Sequence, residues 1–150
     1  MKVRYFVVPH DATQTVGYAI EVEGHNFVIM TDVGRITDEA VEYASKADTV
    51  VVESNYDIDM LMQGPYTHEL KMRIIQGCGH LSNDECSSAI KRFYHKDLKN
   101  IFLCHLSENN NTRELAYECS MEALSELGVE KGTVALRCLP RQYPSQMYML

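Results

Sequence analysis

The sequence has no apolar run approaching the ~20 residues needed to cross a bilayer, so no membrane partner is expected. Its amino-terminal segment (MKVRYFVVPH) lacks the long apolar core and small-residue cleavage site of a secretory signal, which points to the cytoplasm. No tract is compositionally biased, and 45% hydrophobic residues are too many for intrinsic disorder. The length, 150 residues, suits one domain. Positive charge is in deficit: 14 Lys and Arg against 21 Asp and Glu leave a net charge of −7. Such a chain does not coat nucleic acid non-specifically, although a local site can still act on a phosphodiester. Glycine-rich phosphate loops are missing too. Neither G-x-G-x-x-G nor G-x-x-x-x-G-K-S/T occurs, which argues against a nucleotide-binding α/β domain.

Paired cysteines are also lacking. Cys78, Cys86, Cys104, Cys119 and Cys138 are odd in number and include no C-x-x-C pair, so they read as reduced thiols. Cys78, His80 and Cys86 follow no zinc-ligand spacing, and buried thiols are expected there.

What is present alternates between strand and helix. Arg4 to Pro9 is a short apolar run. Val16 to Glu23 alternates, with Val16, Tyr18, Ile20 and Val22 on one face and Gly17, Ala19, Glu21 and Glu23 on the other. A turn at Gly24-His25 returns the chain as a strand from Asn26 to Asp32. Thr37 caps a helix to about Lys46, and Asp48 to Glu53 is a strand. A short helix from Asp57 to about Met62 breaks at Gly64-Pro65, and a longer one runs from about Tyr66 to Gln76. Ser82-x-x-Glu85 is a capping box opening a helix to about Tyr94. A strand from Asn100 to Leu106, a helix from about Thr112 to Leu127 and a strand from Thr133 to Leu139 complete an α/β sheet. Val50 to Val52 and Ile101 to Cys104 are apolar at successive positions, so both faces of those strands should be buried. Helices could cover both faces, or only one while the other awaits a partner layer.

Three candidate metal ligands fall at strand ends, where α/β proteins assemble their sites: His10, Asp32 and His105. Two imidazoles and a carboxylate suit zinc, manganese or iron. Taken singly, His10 equally suits a satisfied loop histidine, and Asp32 a turn former.

Together, His10-Asp11-Ala12, Val16-Gly17-Tyr18, Thr31-Asp32-Val33-Gly34, Glu53-Ser54-Asn55-Tyr56, Gly79-His80-Leu81-Ser82-Asn83 and His105-Leu106-Ser107-Glu108-Asn109-Asn110 resemble one family. It is the metallo-β-lactamase-fold hydrolases, and within them the YycJ/WalJ-like group of exonucleases; Tyr66 to Arg73 (YTHELKMR) also looks like that group. The resemblance implies an αββα sandwich and a two-metal hydrolase in which a metal-activated hydroxide attacks phosphorus. It implies that His10 ligates one metal, His105 the other, and Asp32 bridges them. It implies a catalytic role for His80, contacting phosphate or supplying a proton, with Glu53 orienting that imidazole. Ser82 and Asn83, at a helix amino terminus, and Asn109 and Asn110 are the matching substrate-binding candidates.

The family's H-x-H-x-D-H motif is absent, and His25, His68 and His95 do not replace it. In the family that motif belongs to an amino-terminal half, so residues 1–150 look like the carboxy-terminal half of such a domain. His10, Asp32 and His105 alone would hold two divalent metals poorly, since catalytic zinc sites usually have three protein ligands. Two functional readings follow. The first is a metal-dependent hydrolase of nucleic-acid or other phosphodiesters that needs its other half. The second is a non-catalytic half-domain that dimerises through an exposed sheet face.

Overall fold

The structure, a computed structural model, describes residues 1–148, apart from the side chains at 77 and 78. Six strands form one sheet in sequence order: β1 (Lys2–Val8), β2 (Thr15–Val22), β3 (His25–Met30), β4 (Thr49–Glu53), β5 (Asn100–Cys104) and β6 (Ala135–Cys138). The β1–β2 and β2–β3 pairs are antiparallel, and the pairs from β3 to β6 are parallel. Every strand except β2 therefore runs the same way, and five carboxyl ends share one edge of the sheet.

The turn between β2 and β3 sits one residue earlier than the sequence suggests. Glu23 and Gly24 have φ of 50° and 81°, both left-handed, and His25 already pairs with Val22. Two positive φ values at the centre of a two-residue loop match the right-handed twist of the hairpin, and glycine takes the second at no steric cost.

Five α-helices fill the connections: α1 (Asp38–Ala44), α2 (Ile58–Gln63), α3 (His68–Arg73), α4 (Asn83–Phe93) and α5 (Arg113–Glu126). Side-chain caps open each of them, from Thr37, Asp57, Thr67, Ser82 and Thr112. Ser82 and Glu85 form the expected capping box, which satisfies two backbone donors at once. The single helix expected from Tyr66 to Gln76 is instead α3 followed by a π-helical turn at Ile74–Cys78. Such turns are rare, and those that occur fall frequently at functional sites. Among the described residues, no helix is long and apolar enough to cross a membrane.

The core lies on one face of the sheet. Phe6, Val8, Val28, Met30, Val50, Val52, Ile101, Leu103 and Leu136 pack there with Ala40 and Ala44 of α1, Ile90 and Phe93 of α4, and Ala116 and Leu124 of α5. Each large apolar side chain buried this way contributes about 1.5–3 kcal/mol. Phe6 also stacks on Tyr43, with ring centroids 5.1 Å apart.

The opposite face carries the apolar set Val16, Tyr18, Ile20 and Val22 that the alternation in β2 picks out. There Val3, Tyr5, Val7 and Tyr18 are 43–67% exposed. Val3 pairs with Ile20, Tyr5 with Tyr18 and Val7 with Val16, so the exposed side chains are contiguous across two strands. Farther along, the chain after β6 folds back: the Tyr148 ring packs on Phe102 at 5.1 Å with the planes tilted by 47°, and the Arg137 guanidinium lies 4.9 Å from the Tyr148 ring centroid. The helices thus cover one face, and the other keeps an open apolar strip.

Gly17 tests the helix-side packing. A Cβ added there would lie 2.5 Å from two ring atoms of Phe6. Gly17→Ala is expected to destabilise the fold by about 1–3 kcal/mol, the usual cost of overfilling a packed core, measured as a lower urea midpoint with an unchanged slope.

Candidate metal centre at the carboxyl edge of the sheet

The shared carboxyl edge gathers the candidate residues. His10 follows β1, Asp32 follows β3, Glu53 is the last residue of β4, and His105 follows β5 directly. His80 arrives separately, in the segment between the π-helical turn and α4. Chain reversals that put side chains outside strand ends are where open α/β sheets bind ligands. Asp32 and His105 both have φ of 55°. Non-glycine residues in that region are uncommon, and they concentrate where surrounding structure holds a side chain in a working position.

Glu53 is wholly buried and organises the cluster. Its Oε1 accepts from His80 Nδ1 at 2.6 Å and from His105 Nδ1 at 2.9 Å. Its Oε2 accepts from the Val33 backbone N–H at 2.6 Å. Burial, the largest single influence, pushes the carboxyl pKa up. The hydrogen bonds from His105 and His80, the His80 charge and the Val33 amide outweigh it, so the pKa lies below the ordinary carboxylate value. The hydrogen bond to Glu53 raises the His105 pKa against the effect of burial, and the charges of Glu53 and Asp32 add to it.

His10 is tied in the same manner, its Nδ1 donating to the Gly79 carbonyl at 2.6 Å. In all three imidazoles Nδ1 is engaged by an oxygen, so the neutral ring presents a lone pair at Nε2. That is the tautomer and orientation that outer-shell partners impose on metal-binding histidines. The rings stand side by side, His10 to His80 at 5.0 Å and His80 to His105 at 5.1 Å between centroids. The His105 Nε2 lies 3.8 Å from Asp32 Oδ1. Potential ligand atoms of His10, Asp32 and His80 all fall within 4.8 Å of one another, as do those of Glu53, His80 and His105. A set of imidazoles and carboxylates of this size fits a divalent transition ion such as zinc or manganese.

The three ligands expected from sequence therefore lie at one edge, with His80 standing among them. Its Nδ1 is spent on Glu53, and its ring also offers a ligand atom within 4.8 Å of those of His10 and Asp32. The substrate-binding candidates divide. Ser82 caps α4, with its hydroxyl and its amide both bonded to Glu85. The Asn83 amide donates to the Tyr56 carbonyl. Its carboxamide is buried in a reciprocal pair with Asn111 and also accepts from Ser54. Both amides expected to face an anion are therefore used inside the protein, because the amino terminus of α4 is docked against the end of β4. Asn109 is exposed, while Asn110 is buried and lines a cleft beside the imidazoles. Asn55, missed by sequence reasoning, donates from its carboxamide to the His105 carbonyl at 2.7 Å and holds that strained residue in place. Cys86, Cys104, Cys119 and Cys138 are free, in keeping with reduced thiols, and Cys86 is wholly buried. The Cys78 side chain lies outside the described residues.

The family model described as the β-lactamase superfamily domain matches residues 1–105. The chain is 36% identical over 127 residues to the exodeoxyribonuclease WalJ of Streptococcus pneumoniae, covering 85% of this chain and 47% of that protein. It is 33% identical over 132 residues to the exodeoxyribonuclease YycJ of Bacillus anthracis, covering 88% of this chain and 50% of that one. The chain thus spans about half the length of the curated relatives it matches. Among solved structures it is similar to the metallo-β-lactamase fold protein YhfI of Bacillus subtilis. There the TM-score is 0.61 at 13% identity, over 91% of this chain and 44% of that one.

The Glu53 arrangement sets a pH dependence. With its native pKa below the unfolded value of about 4.3, the carboxylate stabilises the fold fully above that value, and the contribution is lost as pH falls through the native one. Glu53→Gln is expected to lower stability by about 1–3 kcal/mol at pH 7, with the gap from wild type narrowing below about pH 4. Urea titrations of both proteins between pH 3 and pH 7 measure it, and a gap independent of pH would contradict it.

Proposed function

The chain belongs to the β-lactamase superfamily, and on that premise we propose that it is about half of a divalent-metal-dependent hydrolase of nucleic-acid phosphodiesters, an exonuclease. The observation that carries this reading is the convergence of His10, His80, His105 and Asp32 over one buried carboxylate, with each imidazole fixed through Nδ1. His10 and His105 would each hold a metal, Asp32 would bridge, and His80 stands close enough to ligate or to meet a phosphate oxygen. A bound divalent metal would supply an activated water as nucleophile and neutralise charge developing on the phosphate oxygens.

The chain's own residues do the positioning. Glu53 keeps Nδ1 of His80 and His105 occupied, so that Nε2 is the reacting nitrogen of each ring. It also favours any proton that His105 acquires. The Gly79 carbonyl does the same for His10. Because these partners are backbone and a buried side chain, the rings need no reorganisation when a ligand arrives.

The open apolar strip on β1 and β2 is where we place the missing half of the domain, whose sheet would complete the sandwich. Relatives about twice as long, named as exodeoxyribonucleases, support that occupant over a second copy of this chain. The same half would bring the remaining metal ligands.

Elemental analysis after equilibration with zinc or manganese is the test. Wild type is expected to retain one divalent ion or more per chain, with Asp32→Ala losing it and Glu53→Gln binding about 10–100-fold more weakly. Adding a family amino-terminal half bearing H-x-H-x-D-H should raise occupancy and produce DNA degradation that Asp32→Ala abolishes. A stable homodimer that retains no metal would favour the non-catalytic half-domain instead.

A further inference from the structure

Beside the imidazoles lies a cleft of about 590 Å³, within the range of small-molecule sites, and most of its lining is not needed to hold a metal. Two kinds of surface meet in it. Leu61, Tyr66, Leu70 and Ile74, from α2, α3 and their neighbours, are apolar or aromatic, and Leu70 is 38% exposed although large and hydrophobic. Arg73, at the end of α3, and Arg141, three residues beyond β6, are cations, and Asp11 is the one acidic residue among the lining. Each guanidinium has a carboxylate beside it, Asp11 at Arg73 and Glu108 at Arg141, so the cleft offers directed N–H groups rather than an excess of positive charge.

Both guanidiniums are fixed beside the candidate metal centre. Arg73 donates to Asp11 Oδ2, while Asp11 Oδ1 lies 3.3 Å from His10 Nε2. Arg141 donates to the Leu106 carbonyl at 3.1 Å, one residue past His105, and lies 3.7 Å from the Glu108 carboxylate. Its charge acts on His105. Each Arg still has N–H groups beyond those in use, and a guanidinium fork matches phosphate oxygens.

The geometry points to this cleft as the seat of the terminal nucleotide of a nucleic-acid strand. The base lies against Tyr66 and Leu70, and a phosphate is taken by Arg73 and Arg141. The next phosphodiester is then directed to the imidazoles. The inference rests on the exonuclease reading and adds the residues that seat the terminal nucleotide. Apolar and aromatic surface suits any base, since every base has a stacking face, and so predicts little sequence preference.

Binding by the purified chain in excess EDTA tests it, because no metal then contributes. Thymidine 5′-monophosphate, thymidine and inorganic phosphate are the three probes, titrated by NMR. The nucleotide is expected to bind about tenfold tighter than either of its parts. Arg73→Ala and Arg141→Ala should each weaken nucleotide binding about tenfold and leave thymidine unaffected. Leu70→Ala should weaken nucleotide and thymidine alike. All three side chains are exposed, so thermal melts should match wild type. Phosphate binding as tight as the nucleotide, or folded wild type that binds no nucleotide, overturns the proposal. Nucleotide binding by a chain that retains no metal would keep this inference and remove the hydrolase reading. Metal retention without nucleotide binding would do the reverse.

Discussion

One buried carboxylate joins the parts of this protein that make up the candidate site. Glu53 ends the central parallel strand β4, out of contact with solvent, and an ionised carboxyl there is costly unless donors surround it. It receives three, from Val33 after β3, His80 before α4 and His105 after β5. Those segments are 20, 27 and 52 residues away along the chain. The same bonds that offset burial therefore bring three loops to one point and decide which nitrogen each imidazole turns outward. Stability and site geometry are served by one set of contacts.

Around that point a second buried polar network fixes the scaffold. Ser54, Asn83 and Asn111 join the end of β4 to the beginnings of α4 and α5 through side-chain hydrogen bonds. Asn55 then reaches across to the His105 carbonyl. Fully satisfied buried amides are rigid, and rigidity at the strand ends is what lets Asp32 and His105 persist at positive φ. The Arg73 and Arg141 cleft grows from the same edge, since β6 shares the direction of β3, β4 and β5.

Several features were legible in the sequence for reasons that are local. The β2–β3 hairpin follows from period-two alternation around a glycine, and the α4 capping box from Ser82 and Glu85 three residues apart. His10, Asp32 and His105 stood out because reactive side chains just past apolar runs are placed by the sheet. Other features could not be read. The surroundings of Asn83 are one: a helix amino terminus looks the same in sequence whether it faces solvent or, as here, docks on a strand end with its amide used. The π-helical turn is a five-residue departure that leaves the apolar spacing almost unchanged. Asn55 stood in a recognised motif without a role of its own and Arg141 gave no signal, since each acts through a partner far along the chain.

Sequence alone was enough for the alternation of strand and helix and for the ends of most elements, because those follow from periodicity and capping; His10, Asp32 and His105 stood out from it as candidates, through their places after apolar runs. Which sheet face the helices cover is settled by the path of the folded chain. From β3 to β6 the strands always step the same way across the sheet, and crossovers between parallel strands are right-handed. Every crossover helix that packs on the sheet is then delivered to one side. Val50 to Val52 and Ile101 to Cys104 have the same two-sided apolar pattern whether helices or a second sheet covers the far face. Handedness is a property of the chain's path, and hydropathy along it carries no record of that.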